Sequence, residues 1–156
     1  MDLSIDLEDY KLNIRAGAII IHNNKVLTHK NKKETHYALI GGRIRIGESS
    51  ETAIKREIKE EMDKDIEITD YFTTIENFFE FDGNKFHEIF FVYKADFINE
   101  EDKKIEYTLN NKEGDENLQY EWLDINSLNN YNLKPSSLKK LLINNSSTAH
   151  IIDKDN

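Results

Sequence analysis

Runs of apolar residues along this chain are short and turn-bounded, with a single stretch of clear helical periodicity between them. RAGAIIIH, then Asn23 and Asn24, then KVLTHK read as two strands joined by a tight turn, because Asn tolerates the positive φ of short hairpin loops. The unbroken apolar run from Ala16 to Ile21 predicts a strand covered on both faces. After the polar stretch KNKKET, HYALIGGRIRI is strand-like again, interrupted by Gly41 and Gly42 where the backbone must turn or pass close to something. Ser49 or Ser50 is placed to cap a helix that runs to about Met62 without Gly or Pro. IEITDYFTTIENFFEF, the turn DGNK and FHEIFFVYKADF predict a long hairpin rich in β-branched and aromatic residues. KIEYTL adds a candidate strand, NNKEGDENL a polar loop, QYEWLDI a short strand, and PSSLKKLLI a last helix with Pro135 in its first turn. The tail over residues 144–156 has little apolar periodicity and is expected to be loosely held.

The 156 residues suit one domain spanning 1–156, with its core at about 13–143, and no repeat or linker divides them. No apolar run approaches the roughly 20 residues of a membrane-spanning helix, and the acidic start MDLSIDLEDY lacks the positive charge of a secretory signal. The expectation is an unexported, cytoplasmic protein. Cysteine is absent, which removes disulfides, thiolate metal sites and a cysteine nucleophile, and the five histidines lack metal-ligand spacing. A net charge of −9 opposes attraction to nucleic acid or anionic membrane. An anionic substrate would therefore need cations to mediate its binding.

The helix supplies candidate chemistry. At about 100° per residue, the i, i+3 and i+4 spacing of Glu57, Glu60 and Glu61 puts three carboxylates on one patch. Ala53, Ile54, Ile58 and Met62 take the adjoining arc, while Lys55 and Lys59 point elsewhere. Like charges at this spacing repel by about 0.2 to 0.5 kcal/mol, so a cation belongs there. Magnesium, which takes oxygen ligands, is the natural candidate, and Arg56 can brace the same carboxylates. For three glutamates alone, a solvated acidic face is the competing account.

The surrounding residues alter that balance. In GGRIRIGESSETAIKREIKEEM, five residues lead from Gly42 to Glu48 and seven more to Arg56 and Glu57, with Ile58, Lys59, Glu60 and Glu61 following. Six such matches at set spacing arise by chance on the order of once in ten million starts, before allowing for the glutamate-rich composition. The segment resembles the Nudix box of MutT-like hydrolases. It departs from that pattern at Ile40, where the family usually has proline, and at Asp63 and Lys64, where a glycine and an aliphatic residue usually end the helix. None of these removes a carboxylate.

The resemblance implies an α/β fold, an α/β/α sandwich with a mixed central sheet. It implies a pyrophosphohydrolase cleaving a phosphoanhydride of a nucleoside diphosphate linked to another group, with Mg2+ as cofactor and Mn2+ as substitute. Glu57, Glu60 and Glu61 are then metal ligands together with the Gly41 carbonyl, and Glu48 and Arg56 support them. Family members place the catalytic base on the helix or on a later loop, and Glu113 or Glu116 of the EGDEN loop is the expected base beside Glu57. Glu88, mid-strand in FHEIFFVY, either lines the substrate pocket or pairs with an arginine such as Arg43 or Arg45. Phe78, Phe79, Tyr120 and Trp122 either stack on a base or fill the core, and Phe78 and Tyr120 are carried as substrate-binding candidates. Lys30, Lys32 and Lys33 either draw in phosphates or form an ordinary solvated loop. ADP-ribose-like and nucleoside-triphosphate substrates both stay open, the first favoured by the look of the NFFEF and HEIFF hairpin. The expected partner is a small-molecule nucleotide, with self-association into a homodimer left open. A non-catalytic nucleotide sensor on the same fold is the alternative class, and a purely structural domain a third.

Overall fold

The computed structural model describes residues 1–104 and 118–154. In chain order the strands are β1 Ser4–Leu7, β2 Tyr10–Ile19, β3 Ile21–His22, β4 Lys25–Asn31 and β5 Ala38–Arg43, followed by helix α1 Ser50–Met62. Then come β6 Ile66–Phe81, β7 Asn84–Phe97, a 3-10 helix Glu100–Lys104, β8 Leu118–Asp124, a 3-10 helix Ile125–Asn130, α2 Ser137–Ile143 and β9 His150–Lys154.

The strands form one mixed sheet in the order β3-β4-β5-β2-β7-β6-β9, with β1 beside β2 and β8 beside β4. β2 runs parallel to β7, and β6 parallel to β9; the other ladders are antiparallel. Two tight turns hold the hairpins. Asn23 and Asn24 have φ of 51° and 59° between β3 and β4, and Asp82 and Gly83 have 52° and 79° between β6 and β7. Positive φ at both central residues gives the twist that matches paired strands.

Alternation along β2 and β7 splits the core in two. Ala16, Ala18 and Ala95 face one cluster with Ile54, Ile58 and Met62 of α1, whereas Ile19, Phe90 and Val92 face another with Leu128, Leu138 and Leu142. Helical layers therefore cover both faces of the sheet, the expected α/β/α sandwich. The continuous burial of Ala16 to Ile19 follows from that double cover.

Two expectations are corrected. The tail expected to be loose instead supplies β9, which pairs with β6 from Thr74↔His150 to Phe78↔Lys154, and buried Asp153 accepts a bond from the Ser137 amide at 3.1 Å. A ladder needs only an open sheet edge, so side-chain periodicity did not announce it. Pro135 precedes the N-cap Ser136 of α2 instead of lying inside its first turn. The acidic N-terminus, for which the sequence reading made no element, forms β1, whose residues alternate polar and apolar over Ser4–Leu7 and pair with β2. The candidate strand KIEYTL lies, apart from Lys104, outside the described residues.

Candidate active site

Helix α1 begins at Ser49, whose Oγ accepts the Thr52 amide at 3.1 Å, and buries Ala53, Ile54, Ile58 and Met62 against the sheet. Lys55 and Lys59 point to water. Asp63 ends the helix at φ 56°, ψ 36° and donates its amide to the Lys59 carbonyl, so aspartate adopts the left-handed conformation usually left to glycine. The helix therefore ends cleanly despite that departure from the box.

Arg56 is the hub of the carboxylate patch. Its Nε and Nη2 grip Glu48 at 2.7 and 2.9 Å, its Nη1 reaches Glu57 at 2.6 Å and Glu60 at 3.2 Å, and Nη2 also donates to the Arg43 carbonyl at 3.0 Å. Glu48 in turn accepts the Arg45 amide at 3.0 Å, which ties the loop before α1 to the helix. The Arg56 hydrogen bonds hold the Glu48 carboxyl below its usual range and push the Arg56 guanidinium up, so both stay charged. Arg45 adds a second cation 3.5 Å from Glu60. Glu61 lines a neighbouring cleft, and its charge, after burial, pushes up the phenol of Tyr120 in the α1-side core. Among the described residues no three acidic or histidine side chains stand close enough to hold one ion. Glu57 and Glu60 meet at Arg56.

Strand β5 brings Gly41 and Gly42 against this patch. A Cβ on Gly41, at φ 153°, would lie 2.1 Å from the Ala16 carbonyl oxygen, so the backbones touch there. A Cβ on Gly42 would lie 2.5 Å from Cδ of Glu57, so glycine is what leaves room for that carboxylate.

Beyond the glycines opens a cleft of about 900 Å3, lined by Gly41, Gly42 and Glu61 and walled elsewhere by the hairpin aromatics. Phe79 and Phe86 stack at 4.9 Å with an interplanar angle of 2°, and His36 meets Phe81 edge-on at 5.8 Å. Glu88 lines this cleft, but its partners are Arg15 at 3.7 Å and Asn77 at 3.4 Å, not Arg43 or Arg45. The parallel β2–β7 ladder decides this by setting Asn13 beside Glu88 and Arg15 two residues further on. Phe78 lies on the opposite face of β6, its ring 4.4 Å from that of His87. Its neighbour Phe79 is the residue that lines the cleft, since side chains alternate along a strand. Tyr120 is buried in the α1-side core and does not line the cleft, and Trp122 packs against the same cluster. Lys30 lines the cleft over the Tyr37 ring, while Lys32 and Lys33 are exposed away from it. Glu113, Asp115 and Glu116 lie outside the described residues; Leu118, where description resumes, lines the cleft.

Among the polar residues of the cleft that sequence reasoning missed are Asn13, Arg15, His29 and Asn77, all on strands. Their signal was the one that marked Glu88, a polar side chain on an otherwise apolar strand. His29 is buried, and that burial, followed by the charges of Arg15 and His36, pulls its pKa down to about 3. It is therefore neutral, and its Nδ1 has no hydrogen-bond partner among the described residues.

No curated protein matches the chain in sequence. Among solved structures it resembles a UDP-X diphosphatase at TM-score 0.61 and 16% identity, covering 90% of this chain and 66% of that one. A MutT protein from Bacillus halodurans matches at TM-score 0.62 and 15% identity, over 91% of this chain and 90% of that one. An ADP-ribose pyrophosphatase from Streptococcus suis matches at 0.55 and 15%, over 92% and 98%. At such identities these likenesses speak to the fold. The NUDIX domain family matches residues 11–142, most of the chain, and that match coincides with the box on α1 and its glycine-lined strand. The chain belongs to the NUDIX domain family.

Proposed function

We propose that this chain is a magnesium-dependent hydrolase cleaving the phosphoanhydride of a nucleoside diphosphate linked to another group, ADP-ribose-like or a nucleoside triphosphate. The carrying observation is the carboxylate patch clamped by Arg56 under Gly42, a glycine that itself lines a cleft walled elsewhere by the hairpin aromatics. Such a cleft suits a substrate with an anionic and a planar end. The donors present are hard oxygens, the carboxylates of Glu57, Glu60 and Glu61 and the Gly41 carbonyl, the ligand type that magnesium takes; they must draw together around the ion, since among the described residues no three acidic side chains yet stand close enough to hold one. Magnesium, when bound, would neutralise phosphate charge and acidify a water.

The chain's own residues do the rest. Glu48 and the Arg43 carbonyl fix Arg56, which fixes Glu57 and Glu60, so the ligands start from a set geometry. Arg15, Arg43 and Lys134 line the cleft and supply cations for phosphate oxygens. Glu113 or Glu116 takes the proton from the attacking water, a reading favoured by the return of the chain to the cleft at Leu118. The printed names of the UDP-X diphosphatase and the ADP-ribose pyrophosphatase favour a nucleoside diphosphate linked to a further group.

The test is a panel of nucleoside-diphosphate compounds and nucleoside triphosphates, assayed for phosphate-containing products with magnesium and again in excess chelator. Turnover of at least one compound with magnesium, abolished by the chelator, is the expected result. Full turnover in chelator, or none on any compound, overturns the proposal.

A further inference from the structure

The proposed site contains a feature that the hydrolytic reading leaves unused. Asn13 on β2, Glu88 on β7 and Asn77 on β6 stand in one register row across three adjacent strands, all line the cleft, and they are 3%, 3% and 5% exposed. Burial of three polar side chains in a row is costly unless something answers their hydrogen bonds.

Their internal bonds leave a definite pattern. The Oδ1 of Asn13 accepts the Ser4 hydroxyl at 2.7 Å, which leaves its Nδ2 as a donor. Glu88 is an acceptor on both oxygens, one near Arg15 and one near the Nδ2 of Asn77. That contact leaves Asn77 its Oδ1, another acceptor. Across the strands the row reads donor, acceptor, acceptor.

The neighbouring rows on the same face make walls. Two residues to one side, Phe86 pairs with Phe79; two residues to the other, Phe90 pairs with Ile75 and neighbours Arg15, whose guanidinium lies 5.8 Å from the Phe90 ring. Rows two residues apart along a strand are about 6.8 Å apart, so the two flanking rows lie about 14 Å from each other and a planar ring seated edge-down on the polar row has an aromatic group on either side.

A ring complementary to this floor carries an acceptor, a donor and a donor along one edge. A carbonyl, a ring N–H and an exocyclic amine provide that order, and they form the pairing edge of guanine. Adenine would turn a ring-nitrogen lone pair toward the Glu88 carboxylate, and uracil would turn a second carbonyl toward the Asn77 Oδ1. We infer that the row Asn13–Glu88–Asn77 between the Phe79/Phe86 and Phe90 walls is a base-recognition slot that selects guanine nucleotides. This rests on the proposed nucleotide hydrolase reading and names its base. It goes against the adenine that an ADP-ribose-like substrate would bring.

Binding and turnover are measured separately. Calorimetry of the intact chain with GMP, AMP and UMP, without metal, tests the slot independently of catalysis. GMP should bind at least about a hundredfold more tightly than AMP or UMP, because AMP sets a ring-nitrogen lone pair against the buried Glu88 carboxylate and UMP sets a carbonyl against the Asn77 Oδ1. Glu88→Gln, nearly isosteric, should reduce the GMP to AMP ratio to within a few-fold. The wild-type comparison decides the matter even if that variant does not fold. Equal binding of the three, or tighter AMP or UMP, overturns the slot whether or not hydrolysis is seen. GMP preference without hydrolysis of any guanine compound supports the slot and overturns the hydrolase reading instead.

Discussion

The contact between Gly42 and Glu57 lets the site's geometry be perturbed without touching a charged group. In Gly42→Ala the new Cβ would sit 2.5 Å from Cδ of Glu57 and 2.7 and 2.8 Å from its oxygens. Carbon atoms settle at about 3.5 to 4.0 Å, so the carboxylate must retreat by about 1 Å or more. That movement breaks its 2.6 Å bond to Arg56 and displaces the oxygen proposed to hold the metal. Misplacement by about 1 Å can cost about a hundredfold in rate, so kcat should fall by that order. The fold should survive. Gly42 does not have positive φ, and what yields is the end of a flexible side chain. One charge-assisted hydrogen bond lost at a partly exposed carboxylate costs about 1 to 2 kcal/mol, offset in part by the reduced freedom of the unfolded chain. The assay is kcat from phosphate-product release at saturating substrate and magnesium, alongside thermal melting. Gly41→Ala is the contrast, because its Cβ would meet backbone atoms of Ala16 and Gly17 at 2.1 and 2.8 Å that cannot swing aside, and it should lower the melting temperature sharply. Near wild-type kcat in a folded Gly42→Ala would refute the argument that Glu57 must occupy its place under Gly42.

Glu57→Gln should lower kcat by a hundredfold or more, about 3 kcal/mol of transition-state stabilisation, while the fold stays intact; a mild effect would transfer the main role to Glu60 or Glu61. His29 is neutral in the fold with its pKa at about 3, so between the ordinary histidine value and that point the unfolded state binds the extra proton. Its contribution to stability is therefore lost as pH falls below about 6.5, by up to about 1.4 kcal/mol per pH unit. Denaturant titrations from pH 7 to 4 should show a steeper loss for wild type than for His29→Gln, and identical slopes would contradict a buried neutral imidazole. Glu113→Gln or Glu116→Gln should cut kcat with little change in KM, and an unchanged pH–rate profile in the double variant would eliminate that loop as the source of the base.

Local patterning carried much of this protein. The helix Ser50–Met62, its serine cap, the long hairpin and the Asn23–Asn24 turn were legible because each depends on neighbours within a few residues: periodicity, capping oxygens and positive φ. The spacing of Glu48, Arg56, Glu57 and Glu60 likewise foretold that one guanidinium would brace the patch, since i, i+1 and i+4 neighbours on a helix stay near whatever the sheet does. Strand pairing was another matter. That β2 lies parallel to β7 gave Glu88 its partner Arg15 and set Asn13 and Asn77 on either side of it, and no local rule relates residues so far apart in sequence. Which of Phe78 and Phe79 faces the cleft turned on strand phase, where a shift of one residue exchanges the faces. The place of β9 depended on an open edge of β6 rather than on the tail's own side chains. The sequence by itself determined the helix and the carboxylates that Arg56 gathers on it, because helical hydrogen bonds close within one segment. Only the tertiary structure decided what the cleft presents to a substrate, because sheet hydrogen bonds are made between segments and bring together residues that the chain keeps apart.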